Sequence, residues 1–590
     1  MTNLEIAELL RKVAAAYLIL NENRFRIIAY ERAADSVEHL TSDVKDMWDD
    51  GKLGDIPGVG GGIAANLDEL FKTGKSRHWE SVLLKVPQAI FPLLLVPGIG
   101  PKKAYTLVTK LKLKSEKTVV SDLEKAAKAG KIAPLEGFGD KSQEVILSAI
   151  ATYKRGQIKE NRMPLPYADA IASELIAYLK TVPGTKRIDA MGSLRRQVST
   201  IGDIDIAVAT RDPEKVIERF VHFPHQKIID QGTRGATLLL VNGRQVDLRV
   251  QKPEAYGAML QYFTGSKHHN IQLREYALEK GLSLSEHGIK SVKTGKITAY
   301  DSEKKFYDAL GIPYIEPELR EDKGEIQAAL HDTLPRLLTP SDVRGDLHVH
   351  SSYNIEPSHD LGKNTVGELL SKAQDLGYSY IGFSDHNPSV TKHTKNQIID
   401  IMKRRKEKYE QQYSSWKDNV KHRVNYFLMC EVDILPDGKL ALPEEAMEFV
   451  DAVIVSVHSS FTQPRTLTTD RLIRAMTSHP KVRILGHPTG RLLGSREGID
   501  ADWPKIFETA KARDIALEIN AFPERLDLPD TLVFDARKLG VRFTIDTDAH
   551  ASGHMDLMRY GVSVARRGWC QMHDVVNTME YNEFRRWLCK

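Results

Sequence analysis

The chain has 590 residues, 41% hydrophobic and 27% charged, with a formal net charge of +4. That length exceeds what one core fills and points to roughly three to five domains. The near-balanced charge excludes a global basic field, so any nucleic-acid contact must come from local patches.

The three cysteines, Cys430, Cys570 and Cys589, are odd in number and unpatterned, which excludes a disulfide framework and fits a reducing cytoplasm. Glu5, Glu8, Arg11 and Lys12 fall at helical spacing, so the first twenty residues read as an amphipathic helix rather than a signal peptide. No apolar run reaches membrane-spanning length; Ala89 to Val96 is short and broken by Pro92. A cytoplasmic protein with no membrane partner is expected.

Residues 1–85 read as short helices. Ile56-Pro57-Gly58-Val59-Gly60 runs into the helical Ile63 to Leu67. Echoes follow at Val96-Pro97-Gly98-Ile99-Gly100-Pro101-Lys102-Lys103 and Leu135-Glu136-Gly137-Phe138-Gly139-Asp140-Lys141. Each is apolar-x-Gly-apolar-Gly opening a helix, and the glycines let N–H groups at the helix start face a phosphate. One such loop is weak evidence, since Pro-Gly turns often precede helices. Three copies resemble helix-hairpin-helix motifs, which grip the DNA backbone without reading sequence. Gly58, Gly60, Gly98, Gly100, Gly137 and Gly139 are then the candidate backbone contacts. Lys102 and Lys103 are placed for phosphate, against the alternative of a solvated helix start.

Further on, residues 203–208 alternate polar and apolar, a half-buried strand. Asp203 and Asp205 therefore share one face. Adjacent carboxylates repel unless cations lie between them, and hard oxygen ligands suit Mg²⁺ or Mn²⁺. Asp247, in the apolar stretch Val246-Asp247-Leu248, is a third candidate if it lies alongside. Gly192-Ser193 offers a turn whose N–H and hydroxyl groups can hold a triphosphate. An isolated Asp-x-Asp is more often a solvated edge pair; the upstream Gly-Ser argues against that here.

This stretch resembles the nucleotidyltransferase signature, and its surroundings resemble the family X DNA polymerases, the DNA polymerase beta group. Arg162 stands where that family has an arginine reaching the triphosphate, and Ser193 and Arg196 match its other phosphate contacts. Tyr262-Phe263-Thr264-Gly265-Ser266 resembles the family's nucleotide-binding turn, followed at the family's spacing by Asn270 and Arg274. The resemblance implies that Tyr262 and Phe263 pack against the incoming sugar, Asn270 reaches the minor-groove edge of the new base, and Arg274 the template. It also implies two Mg²⁺ or Mn²⁺ ions on Asp203, Asp205 and Asp247, one activating the primer 3′-hydroxyl and one holding the triphosphate. Two departures stand out. Lys267 replaces an acidic residue near the nucleotide. Asn66 replaces the lysine that forms a Schiff base with an abasic sugar, and Gly62 replaces a phosphate-binding lysine. Asparagine offers no amine nucleophile, so no lyase chemistry is expected there.

The implied layout is a helical DNA-binding domain over 1–85, helical fingers over 86–158, an α+β nucleotidyltransferase palm over 159–255 and a thumb over 256–317. A linker follows over 318–340, within the proline- and charge-rich stretch Pro313 to Pro340.

The remainder, 341–590, carries different chemistry. Asp346-Leu347-His348-Val349-His350 puts two imidazoles on one strand face. Later apolar runs end in metal-capable side chains: Asp385-His386, Glu431, His458, His487 and Asp546-Thr547-Asp548-Ala549-His550. Helical patterns separate several of them, which describes a βα barrel with its site at the C-terminal face. A lone histidine at a strand end is more often structural, but six strand ends converge here. The pattern resembles the polymerase and histidinol phosphatase (PHP) superfamily, a distorted βα barrel holding up to three metals. It implies His348, His350, His386, Glu431, His458, His487, Asp548 and His550 as ligands of two or three Mn²⁺, Zn²⁺ or Fe²⁺ ions, with phosphoesterase chemistry. Many such proteins follow His-x-His with Ser-Asp-Gly; here the matching triplet is Asn354-Ile355-Glu356, and isoleucine cannot coordinate. Asp360, before the next helix, is the favoured replacement over Glu356 and His359. Arg465 and Arg491 are candidates to neutralise a substrate phosphate.

The expectation is therefore a monomeric gap-filling repair polymerase acting on gapped or primed DNA with dNTPs, fused to a 3′-5′ exonuclease or AP-endonuclease and nucleoid-associated during repair. The rivals are a repair scaffold with an inactive barrel, and a template-independent nucleotidyltransferase joined to a phosphatase.

Overall fold

The computed structural model describes residues 3–590 apart from 39–43, 57, 95, 97–98, 117, 136, 155–161, 242 and 421–422. The chain divides into two compact units, Met1–Glu160 and Asn161–Lys590.

The first unit is helical. Residues on both sides of the expected boundary at 85 join one buried core that includes Leu10, Tyr17, Leu67, Trp79, Ile90, Leu107, Leu123 and Ile150. Helix α1 (Gly61–Thr73) buries Ile63, Leu67 and Leu70. Helix α2 (Pro101–Lys110) buries Ala104, Leu107 and Val108, with Pro101 in its first turn, where a missing N–H costs nothing. Helix α3 spans Asp140–Lys154.

In the second unit the palm is a five-stranded sheet. Strands β1 (Arg187–Ala190), β2 (Ile204–Ala209), β3 (Lys227–Gln231), β4 (Gly235–Leu239) and β5 (Gln245–Gln251) lie in the order β1-β2-β5-β4-β3. The β2–β5 pair is parallel, with Asp205 opposite Asp247. The thumb follows, opening with α4 (Tyr256–Thr264) and α5 (Lys267–Glu279).

The stretch 318–340 does not run free. A helix over Glu325–Leu330 buries Ile326 and Ala329 in the thumb core together with Leu319. Arg320 and Glu325 are also buried, Arg320 pairing with Glu303 at 2.7 Å and Glu325 with His269 at 2.7 Å. Because these buried residues are charged, the stretch reads in sequence as a solvated linker.

The barrel has seven parallel strands in sequence order: β6 (Gly345–Val349), β7 (Tyr380–Phe383), β8 (Asn425–Asp433), β9 (Ala452–Ser456), β10 (Val482–Leu485), β11 (Ala516–Asn520) and β12 (Phe543–Asp546). Most are buried along their whole length, which explains their near-continuous apolar runs. Beyond the last strand, His350 N donates to Ala549 O at 2.8 Å and Ala549 N to His348 O at 3.1 Å, bringing first and last strands together. One buried cluster extends from the palm (Leu175, Ile206, Leu248) into the barrel (Leu369, Val455, Leu517). Helix α6 (Met558–Arg567) ties the barrel to the palm, its Ser563 Oγ donating to Gln197 Oε1 at 3.0 Å. Among the described residues no helix is long and apolar enough to cross a membrane.

Candidate active sites

On the palm, carboxylate oxygens of Asp203, Asp205 and Asp247 lie within 4.8 Å of one another. The parallel register of β2 and β5 makes this cluster, with Asp203 just before β2. Desolvation and the charges of Asp203 and Asp247 push the Asp205 carboxyl well above its ordinary range. Thr237 Oγ1 donates to Asp247 Oδ1, and Gln245 Nε2 donates to Asp247 Oδ2 at 2.8 Å. Such a set of like charges fits divalent cations. Gly192 is in the left-handed region at φ +58°, and a Cβ there would lie 2.2 Å from Asp205 Oδ2, so only glycine fits beside the carboxylate. Ser193 is in the short helical turn that follows, Gly192–Arg195.

The expected nucleotide contacts are partly engaged within the protein. Arg162 Nε donates to Thr200 Oγ1 at 2.9 Å. Arg196 Nε donates to Glu321 Oε1 at 2.9 Å and its Nη1 to Thr264 O. Gly265 breaks the chain at φ +66° between α4 and α5, and Ser266 caps α5 by accepting from His269 N. Tyr262 and Phe263 meet edge to face with centroids 5.0 Å apart, and the Arg274 guanidinium lies over Tyr262 at 5.3 Å. Asn270 is buried, its Oδ1 accepting from Gln261 at 2.9 Å and its Nδ2 donating to Tyr262 O at 2.8 Å. In this state it holds the turn together rather than facing outward.

At the barrel mouth Glu431 lies at the centre. His386 Nδ1 is 3.0 Å, His348 Nε2 3.2 Å and His350 Nε2 3.6 Å from its Oε2; His487 Nε2 is 2.9 Å and His458 Nε2 3.4 Å from its Oε1. Asp548 Oδ1 is 3.3 Å from His350 Nε2 and 3.7 Å from His550 Nδ1. His348 Nε2, His350 Nε2, Glu431 Oε2, His487 Nδ1 and His550 Nε2 are buried without hydrogen-bond partners. Orphaned imidazole nitrogens around carboxylates are a donor set that fits metal ions. His487 and Asp548 also adopt positive φ, +25° and +53°, backbone strain of the kind concentrated at functional sites. Burial lowers His458, but Glu431 and Asp433 outweigh it and hold its pKa at about 9. Burial and the neighbouring His550 press His350 down to about 3.

Around Ile355 the outcome is specific. Ile355 is fully buried in the core. Glu356 is drawn to His393 Nε2 at 2.9 Å. Asp360 stands 3.5 Å from His550 Nε2 and 3.8 Å from His386 Nε2. His359 Nε2 is 3.0 Å from Asp433 Oδ1, which also accepts from His458 Nδ1 at 2.7 Å. Asp433 and Glu518 were not anticipated from sequence. Glu518 accepts from His348 Nδ1 at 2.5 Å and from the His487 N–H, so it fixes both residues from behind. Asp385 is a structural carboxylate held by Arg405 at 2.8 Å and by Ser351 N at 2.6 Å. Of the arginines, Arg491 anchors the carbonyls of Arg525 and Leu526 and Arg465 is exposed at the start of a half-buried helix. Neither lines the cavity; Arg496 and Arg525 do.

In the helical unit Gly60 and Gly100 precede α1 and α2 without a side-chain cap, leaving first-turn N–H groups available. Gly58 and Gly137 have positive φ, +83° and +80°, and Gly139 directly precedes α3. Lys102 and Lys103 are exposed, and Gly98 lies outside the described residues. Asn66 donates to Gly62 O at 2.6 Å and accepts from Ser76 Oγ at 2.7 Å.

Residues 1–76 match the helix-hairpin-helix domain family, 259–321 the DNA polymerase beta thumb and 346–522 the PHP domain. A Bacillus subtilis protein named DNA polymerase/3′-5′ exonuclease PolX is 33% identical over 589 residues, 99% of each chain. Rattus norvegicus DNA polymerase lambda is 24% identical over 349 residues, 54% of this chain and 56% of its own length. A probable phosphatase of Clostridium acetobutylicum is 27% identical over 216 residues, 35% of this chain and 79% of its own.

Proposed function

Because this chain belongs to the family X DNA polymerases with a C-terminal PHP domain, we propose that it fills short gaps in DNA and trims 3′ ends through two separate metal sites. The observation that carries this reading is the coexistence of a carboxylate-only cluster on the palm and a histidine-rich cluster at the barrel mouth.

Asp203, Asp205 and Asp247 would hold two Mg²⁺ or Mn²⁺ ions, which when bound supply charge to activate a primer 3′-hydroxyl and neutralise a triphosphate. The Gly192 turn, Ser193, Arg162 and Arg196 contact the dNTP phosphates, Arg196 exchanging Glu321 for them. Tyr262, Phe263, Gly265 and Ser266 border the sugar. Asn270 turns from Tyr262 O toward the base, and Arg274 toward the template. The glycine-opened helix starts and Lys102 and Lys103 hold the backbone of gapped or primed DNA.

In the barrel His348, His350, His386, Glu431, His458, His487, Asp548 and His550 would hold two or three Mn²⁺, Zn²⁺ or Fe²⁺ ions, which when bound supply a hydroxide and clamp a phosphate oxygen. Asp360 completes the set formed by His350, His386 and His550. The reading includes the domain boundaries given above except a free linker, a monomer, and a cytoplasmic, nucleoid-associated location. Primer extension and 3′ degradation on one gapped duplex, with and without dNTPs, test it: both activities are expected from the same purified chain, and the absence of either overturns that half.

A further inference from the structure

The barrel cavity contains more than metal ligands. Its volume is about 510 Å³, the size range of sites that enclose one small molecule. Its wall also carries Arg525, Arg496, Phe461 and Phe522, none of which belongs to the ligand set.

Arg525 lies on the loop after β11. Its Nε is 3.5 Å from Asp548 Oδ2, while its Nη1 is buried with no hydrogen-bond partner. Leaving a buried donor unpaired is costly, so an oxygen from outside the chain is the natural partner. The loop holds this donor in place: Arg491 Nε donates to Arg525 O at 3.0 Å and Thr489 N donates to Asp527 Oδ2 at 3.1 Å. A fixed guanidinium beside a metal-ligating carboxylate matches a phosphate oxygen.

Phe461 is also preset. The Arg496 guanidinium stacks on it 3.8 Å from the ring centroid, and Arg496 Nε is held by Gly490 O at 2.8 Å. Phe522 meets His554 edge to face at 5.6 Å. Hydrolysis of a small polar phosphate ester has no use for two aromatic walls, whereas every nucleobase offers a face to stack on them.

We propose that this cavity is a nucleotide-sized subsite in which Arg525 engages the scissile phosphate and Phe461 and Phe522 receive the base of the departing nucleotide. The proposal rests on the nuclease reading above. In the step it serves, a water oxygen bonds to phosphorus as the P–O3′ bond to the preceding sugar breaks. One water proton ends on that 3′-oxygen, giving a nucleoside 5′-monophosphate and a strand with a 3′-hydroxyl.

The test uses the full chain loaded with Mn²⁺ and two single-stranded oligonucleotides whose 3′-terminal residue either carries adenine or is abasic. Arg525→Lys and Arg525→Gln are expected to lower kcat on both substrates on the order of a hundredfold, and to weaken binding of dAMP measured by calorimetry, with metal content unchanged. The paired variant Phe461→Leu/Phe522→Leu is expected to lose about tenfold in kcat/KM on the adenine terminus and nothing on the abasic one. Retained primer extension reports correct folding throughout. Arg525 variants that lose metal in step with rate, or that keep wild-type rate, overturn the phosphate role. Equal loss on both termini, or none, overturns the base role. A metal-loaded wild type that releases nothing from either oligonucleotide refutes the nuclease reading itself.

Discussion

On the palm, three aspartates stand together with no histidine among them; at the barrel mouth, Glu431 and Asp548 are ringed by imidazoles. Desolvation and like charges push Asp205 toward its protonated form. Burial would do the same to Glu431, but His348, His386 and His458 outweigh it and hold that carboxyl well below its usual range. The palm cluster is thus dominated by like charges, while the barrel cluster pairs its carboxylates with imidazoles. Hard oxygen ligands suit exchangeable Mg²⁺, and mixed imidazole–carboxylate ligands retain transition metals. One chain thus contains a carboxylate-only cluster and an imidazole–carboxylate cluster, two donor sets of different chemistry.

Metal removal separates the two most widely. After dialysis against a chelator, Mg²⁺ is expected to restore primer extension while 3′ degradation stays about a hundredfold down, and Mn²⁺ to restore both. Equal recovery of both activities with Mg²⁺ alone would erase the distinction. Next, Glu518→Gln is expected to cost about 10–100-fold in barrel metal affinity, read by metal retention on gel filtration, with extension untouched. Asp360→Ala should lower barrel metal content by about one ion in three, and Glu356→Ala should leave it unchanged; the reverse pattern assigns the replacement ligand to Glu356. The smallest effect concerns the helical unit. Lys102→Ala with Lys103→Ala should weaken gapped-DNA binding and reduce the logarithmic salt slope by about 2. Borohydride should trap no 5′-deoxyribose-phosphate adduct within residues 1–85, because Asn66 offers no amine.

Sequence showed the two sites to different depths for a physical reason. Asp203, Asp205 and His348, His350 are pairs two residues apart, at the start of β2 and the end of β6, so period two alone suggests one face for each pair. Asp247 required a guess at strand pairing, which the β2–β5 register supplies. Asp433 carries the same signal, two residues after Glu431, yet its contacts with His359 and His458 depend on a loop and another strand. Glu518 looks like a stray acid in an apolar run because its partners come from β6 and the end of β10. Which arginines face the cavity, Arg496 and Arg525 rather than Arg465 or Arg491, depends on loop conformation, which has no periodicity to read. The supposed linker failed similarly: Arg320 and Glu325 look solvated until their partners Glu303 and His269 are brought to them by folding.

The most direct test of two independent sites in one chain is a crossed pair of variants assayed on the same gapped duplex. Asp205→Ala is expected to abolish nucleotide addition and leave 3′ degradation at the wild-type rate, and His458→Ala to do the opposite. Loss of both activities in folded, metal-loaded Asp205→Ala protein would contradict the account, since it would mean that palm and barrel share a single catalytic centre.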